Sequence, residues 1–274
     1  MSDYDLWILP KYGILDINWR ELKEYRELLF FLAMKEIKIR YKQTAIGAAW
    51  AILQPLFTMV VFTLIFNRLA QIPSEGVPYP IFSYSGLLIW TYFSNSLSQS
   101  SNSLVDNVPL LTKVYIPRLF IPMAPCVSGL LDYVVAFVIL VLMMLYYQLS
   151  PDITILLLPV ILLFTFLFTV GMGFWLSAIC VRYRDVKYAL PFFIQLMLFV
   201  SPVIYSVNVL GAQWRWLLYL NPLTGLISAH RACILGHVPI DYTGLGIGIL
   251  ISTIVFVTGL FYLKLTEKHF ADLV

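Results

Sequence analysis

Apolar residues fall into six blocks along this chain, at 44–69, 79–101, 119–147, 153–181, 190–204 and 245–263, separated by short polar stretches. Most blocks exceed about 18 residues, enough at about 1.5 Å per residue to cross a hydrocarbon core of about 30 Å. Ahead of them, residues 1–43 hold 15 charged residues. No short basic region leads into a cleavable apolar one, so this segment is expected to stay on the protein. Within it the pattern over 19–38, with Trp19, Leu22, Leu29 and Leu32 apolar between Arg20, Lys23, Glu24 and Glu27, predicts an amphipathic helix lying in the membrane interface. A solvated helix packed on a partner is the alternative. Between the fifth and sixth blocks, two short apolar stretches, 213–220 and 225–235, are broken by Asn221 and Pro222. Neither can span, and the pattern fits either a re-entrant hairpin or a pair of helices on the outer leaflet. The expected fold is an all-α membrane protein: a 1–43 segment with an interface helix, a six-span domain over 44–263 with the broken helices before its last span, and a 264–274 tail.

Composition agrees with this pattern. Of 274 residues, 60% are hydrophobic and 12% charged, against about 25% charged in soluble domains, and the mean hydropathy of +0.84 excludes an ordinary soluble domain and disorder alike. The net charge of +3 is too small to suggest a nucleic-acid partner. Its placement is informative. With the N-terminus inside, fifteen Lys and Arg fall on the cytoplasmic side and only Arg68, Arg215 and Arg231 outside, which places both termini in the cytoplasm. The three cysteines, Cys126, Cys180 and Cys233, are scattered and suggest neither a disulfide framework nor a metal site.

Enzymatic chemistry finds no constellation of carboxylates, histidines or nucleophiles. None of the 14 glycines precedes a lysine, so no phosphate-cradling GxxxxGK[ST] loop exists. If ATP drives the protein, it and its magnesium must bind another chain, and no cofactor is expected on this one. Asp132 is the one carboxylate deep in a span. Its insertion costs about 2.5–3.5 kcal/mol, which points to a paired structural role or to a proton relay.

Two blocks carry a polar and aromatic stripe at helical spacing: Gln43, Gly47, Trp50, Gln54 and Phe57 on the first, and Tyr188, Phe192, Gln195, Phe199 and Pro202 on the fifth. Aromatic faces stack on the C–H face of a sugar ring and amides exchange hydrogen bonds with its hydroxyls. The stripes therefore suit a lined conduit for glycans, although lipid-facing or packed aromatics share the spacing. The hydroxyl-rich end of the second block, Ser94 to Ser103, could line water or hold helices together.

Five stretches, RYKQTAIGAAWAILQPL (40–56), VPYPIFSYSGLLIWTYF (77–93), NSLVDNVPLLTKVYIPRLFIP (102–122), VRYRDVKYALPFFIQLMLFVSPVIY (181–205) and LNPLTGLI (220–227), closely resemble, in order, the permease subunit of bacterial polysaccharide ABC exporters of the O-antigen or teichoic acid type. The resemblance implies a homodimer in the bacterial inner membrane with a central channel lined by the first and fifth spans. Two copies of a separate nucleotide-binding ATPase would dock below, and the substrate would be a polysaccharide linked to a polyprenyl diphosphate. It implies a cytoplasmic coupling helix at 107–115, where Asn107, Val108, Leu110, Leu111 and Tyr115 would meet the ATPase, and outer gate helices over 213–235 carrying Trp214, Trp216, Asn221 and Pro222. The rival readings are a drug- or lipid-exporting ABC permease, an ion-coupled carrier using Asp132, and a membrane glycosyl- or phosphotransferase.

Overall fold

The structure, a computed structural model, describes residues 23–42, 49–114, 116–209, 211–236 and 238–267. Gln43, Gly47 and Tyr115, and the first part of the expected interface helix, lie outside them. The described chain is helical, with α1 (Arg26–Lys42), α2 (Ala49–Phe62, continued by a π-helical turn Thr63–Leu69), α3 (Tyr79–Asp106), α4 (Val108–Leu111), α5 (Phe120–Tyr146), α6 (Leu158–Arg182, entered through a 3-10 turn Ile153–Leu157), α7 (Val186–Val200), α8 (Arg215–Tyr219), α9 (Pro222–Leu235) and α10 (Tyr242–Glu267).

Four of these helical segments are long and apolar enough to cross a membrane: Ala49–Leu69, Phe120–Tyr146, Ile153–Arg182 and Tyr242–Glu267. The second expected span, α3, has 28 residues, but its second half is rich in serine and asparagine. Those side chains bond within the helix, as Asn102 does to the Ser98 carbonyl (2.8 Å) and Ser103 to the Ser100 carbonyl (2.7 Å). Ser100 instead reaches across to the Pro122 carbonyl of α5 at 2.7 Å. Most of that polar run is thus satisfied by backbone.

The fifth block differs from the reading of its sequence. The helix runs over Val186–Val200, not 190–204. It begins earlier because the charged stretch before Leu190 already turns as helix, and it ends earlier because Pro202 drives Ser201 into an extended conformation (ψ 143°). With 15 residues it is about 22 Å long.

Helix α3 is the centre of the bundle, with Tyr79, Phe82, Tyr84 and Phe93 fully buried against α5, α6 and α9. Helix α10 lies on α6, where a methyl at Gly171 would stand 2.6 Å from the Phe256 Cα and one at Gly259 2.3 Å from the Gly171 carbonyl. Only glycine allows this close crossing. The Asn-Pro break is a helix start: the Asn221 side chain accepts the Leu223 N–H, Pro222 takes the first position, and Gly236 (φ 66°) ends the helix. The resulting α9 is buried along all but one of its 14 residues, between α10, α3 and α6. It therefore sits inside the bundle and not on its surface. The short α8 before it keeps Trp216 and Leu217 exposed. At the other end, α1 crosses α5, burying Leu32 and Ala33 while Phe30, Phe31 and Ile39 stay exposed.

Candidate functional site

The last turn of α1 reaches the middle of α5. Arg40 forms an ion pair with Asp132, and the Tyr41 hydroxyl donates to the other carboxylate oxygen. A second arm of Arg40 donates to Gln99 Oε1 of α3 at 2.6 Å. Burial pushes the Tyr41 phenol above its ordinary pKa against the pull of Arg40, so the phenol remains a proton-bearing donor. The carboxylate deep in the fifth helix is thus paired by a guanidinium and a phenol. The cost of placing it there is offset by these partners.

Around this knot lies a cavity of about 660 Å³ between α1, α2, α3 and α5. Trp50 and Gln54 of the first stripe form one wall, and Thr91, Asn95, Ser96 and Gln99 of α3 face them. Tyr92 and Tyr133 also line it, yet their hydroxyls are engaged elsewhere, by the Cys126 carbonyl (3.2 Å) and His230 Nε2 (2.7 Å). The Asn95 amide meets Gln54 Oε1 only at 3.5 Å. The Ser96 hydroxyl, in a residue 1% exposed, has no hydrogen-bond partner.

Of the described stripe residues only Gln54 and Pro202 are not exposed, and Trp50 is 55% exposed although it lines the cavity. Phe57, Tyr188, Phe192 and Phe199 are between 55% and 82% exposed, and Gln195 is exposed as well. Helix α7 buries only Leu190. Within one chain α2 and α7 each touch α3 but do not pack on one another, so the fold presents two separate amide-and-aromatic faces and does not bring them together.

Residues 27–235 match the ABC-2 type transporter family. The chain belongs to that family. Relatives of this ABC-2 transporter include the O-antigen export system permease protein RfbA of Myxococcus xanthus, 30% identical over 221 residues, covering 80% of this chain and 84% of that one. The O-antigen export system permease protein RfbA of Klebsiella pneumoniae is 25% identical over 250 residues, 90% and 95% of the two chains. The polysialic acid transport protein KpsM of Escherichia coli is 21% identical over 209 residues, 74% and 80%.

In the ABC-2 transporter the loop between α3 and α5 holds the short helix α4, anchored where Lys35 of α1 donates to Asn107 Oδ1 at 3.0 Å. Leu110 and Leu111 are partly buried against the cluster that includes Leu28, Leu29 and Leu32 of α1, and Val108 is half-buried. The exposed groups are Pro109, Thr112, Lys113 and Val114. At the other end, Trp214 and Trp216 are exposed while Asn221 and Pro222 are buried, the Asn221 amide donating to Ser201 Oγ at 2.9 Å.

One site was counted from sequence only as an outer-loop charge. Arg231 is 2% exposed inside the bundle, donating Nε–H to the Phe82 carbonyl (3.2 Å) and Nη2–H to those of Pro202 (3.0 Å) and Val203 (3.1 Å). Its guanidinium lies 3.7 Å from the centre of the Phe82 ring. Among the described residues no carboxylate forms an ion pair with it. A lone arginine in an apolar stretch framed by Asn-Pro and glycine was the signal available in the sequence.

Proposed function

We propose that this chain is the channel-forming permease of an ATP-driven exporter that moves a polysaccharide linked to polyprenyl diphosphate outward across a bacterial inner membrane. It works as a homodimer with two copies of a separate ATPase that binds ATP and magnesium. The observation that carries this reading is the pair of exposed amide-and-aromatic faces on α2 and α7 in a chain whose relatives are named for O-antigen export and polysialic acid transport. A second copy would join the faces that one chain keeps apart. In this reading α3 and α7 complete six spans, both termini are cytoplasmic, α1 lies in the interface with Phe30 and Phe31 in the lipid, and α8 and α9 dip in from the outer side. The buried surroundings of α9 support that dip, since non-spanning helices at membrane depth need protein around their ends. The pairing of Asp132 with Arg40 and Tyr41 favours ATP over an ion gradient as the energy source, because that carboxylate has fixed partners.

Deleting the gene should trap lipid-linked glycan on the cytoplasmic side. Replacing Trp50→Leu together with Phe199→Leu should impair export while protein level and dimerisation persist, because leucine matches phenylalanine in lipid but offers a sugar no face to stack on. Normal export by that double variant would assign the stripes to lipid or packing.

A further inference from the structure

Resting on the glycan-export reading, we propose that the cavity between α1, α2, α3 and α5 is a binding site for neutral sugar residues of the exported chain, one site in each copy. Two features of its wall point to that ligand chemistry. The charges cancel: Arg40 and Asp132 are bound to one another, so an anion entering to meet the guanidinium would also meet the carboxylate. What remains on offer is a mixture of donors and acceptors, from the amides of Gln54, Asn95 and Gln99 and the hydroxyl of Thr91. A ligand whose groups both donate and accept satisfies such a mixture, and a row of hydroxyls does so best. Because the hydroxyls of Tyr92 and Tyr133 are bound elsewhere, what the two tyrosines have left for a ligand is ring, as Trp50 has on the opposite wall.

The volume, about 660 Å³, falls within the range of about 300–1,000 Å³ usual for small-molecule sites, room for a short stretch of glycan and not for a chain passing through. The cavity is accordingly a holding site beside the central path.

The test uses the permease with its ATPase partner in lipid nanodiscs. The probes are short oligosaccharides cut from the host's own surface polysaccharide and, separately, inorganic diphosphate. Wild type should bind the oligosaccharides weakly, and Gln54→Met should weaken binding about fivefold, the worth of one ordinary hydrogen bond, with Thr91→Val acting in the same direction. Diphosphate should neither bind in the cavity nor compete. Both substitutions keep the side-chain volume, and an unchanged melting temperature of each variant separates a loss of binding from a loss of fold. Oligosaccharide binding that is absent in wild type, or equally tight in wild type and both variants, overturns the assignment. So does competition by diphosphate, which would mark an anion site. If the deletion strain still displays its polysaccharide, the export reading itself falls; if display is lost but the variants bind normally, only the cavity assignment falls.

Discussion

Replacing Arg231 with methionine tests how the C-terminal end of α7 is held. The Pro202 and Val203 carbonyls lie just beyond the end of α7, at the negative pole of that helix, and Arg231 is the donor that joins them to α3 and α9. Methionine keeps most of the volume but leaves those two carbonyls without the arginine, at about 1–3 kcal/mol each. It also ends the contact with the Phe82 ring, worth up to about 2 kcal/mol when desolvated. Against this, the bundle no longer buries a guanidinium, which returns several kcal/mol. The net expectation is a loss of about 3 kcal/mol, or about 6–12 °C in the melting temperature of a chain this size, read by thermal unfolding in nanodiscs. Arg231→Lys should recover little, since an ammonium cannot reach three carbonyls in a fork or stack flat on a ring.

Gly86 supplies the control. A methyl group there would stand 2.5 Å from Arg231 Nη2 and 3.3 Å from the Val203 carbonyl, so Gly86→Ala should destabilise wild type strongly and the Arg231→Met protein much less. Neighbours that share a contact couple in a double-mutant cycle by about 0.5–3 kcal/mol. A silent Arg231→Met, or a Gly86→Ala cost that is the same in both backgrounds, would refute the clamp.

Two further predictions concern the other end of the bundle, around α1 and α4. Asp132→Asn should retain substantial ATP-dependent export and lose about 1 kcal/mol of stability, whereas Arg40→Ala should cost about 2 kcal/mol by stranding a part-buried carboxylate; a protonophore that stops export without affecting ATP would overturn the pairing argument. If the loop of α4 meets the proposed ATPase, Val114→Asp should reduce export and glycan-linked ATPase stimulation at normal protein level, because Val114 is 53% exposed. Leu110→Asp with Leu111→Asp should also lower protein level by placing charge against the apolar cluster they pack on, and full export by either variant would move the coupling surface elsewhere.

Periodicity made the apolar helices legible, because burying an unbroken backbone in hydrocarbon leaves helix as the economical solution for runs of that length. It located α5, α6 and α10 to within a few residues. It misjudged α7 at both ends because hydropathy continues smoothly across Ser201 and Pro202 while the backbone does not. The stripes were visible as spacing, yet spacing cannot say what a stripe faces. Trp50 and Gln54 line a cavity with α3 and α5, while Phe57 of the same stripe, in the turn after Gln54, lines none of it, although Trp50 and Phe57 are both exposed.

The polar contacts were illegible for a different reason. Arg40 and Asp132 are 92 positions apart and Arg231 and Phe82 are 149 apart, and nothing local in either segment names its partner. Both arginines answer the same physical demand, a cation held away from water, by opposite means. Arg40 meets a carboxylate, so its site is neutral and its cavity can accept hydroxyls. Arg231 meets carbonyls and a ring, so its charge is spread over fixed dipoles from α3 and from the turn after α7. The ion pair of Arg40 borders a cavity, whereas the guanidinium of Arg231 is sealed among backbone carbonyls at the other end of the bundle.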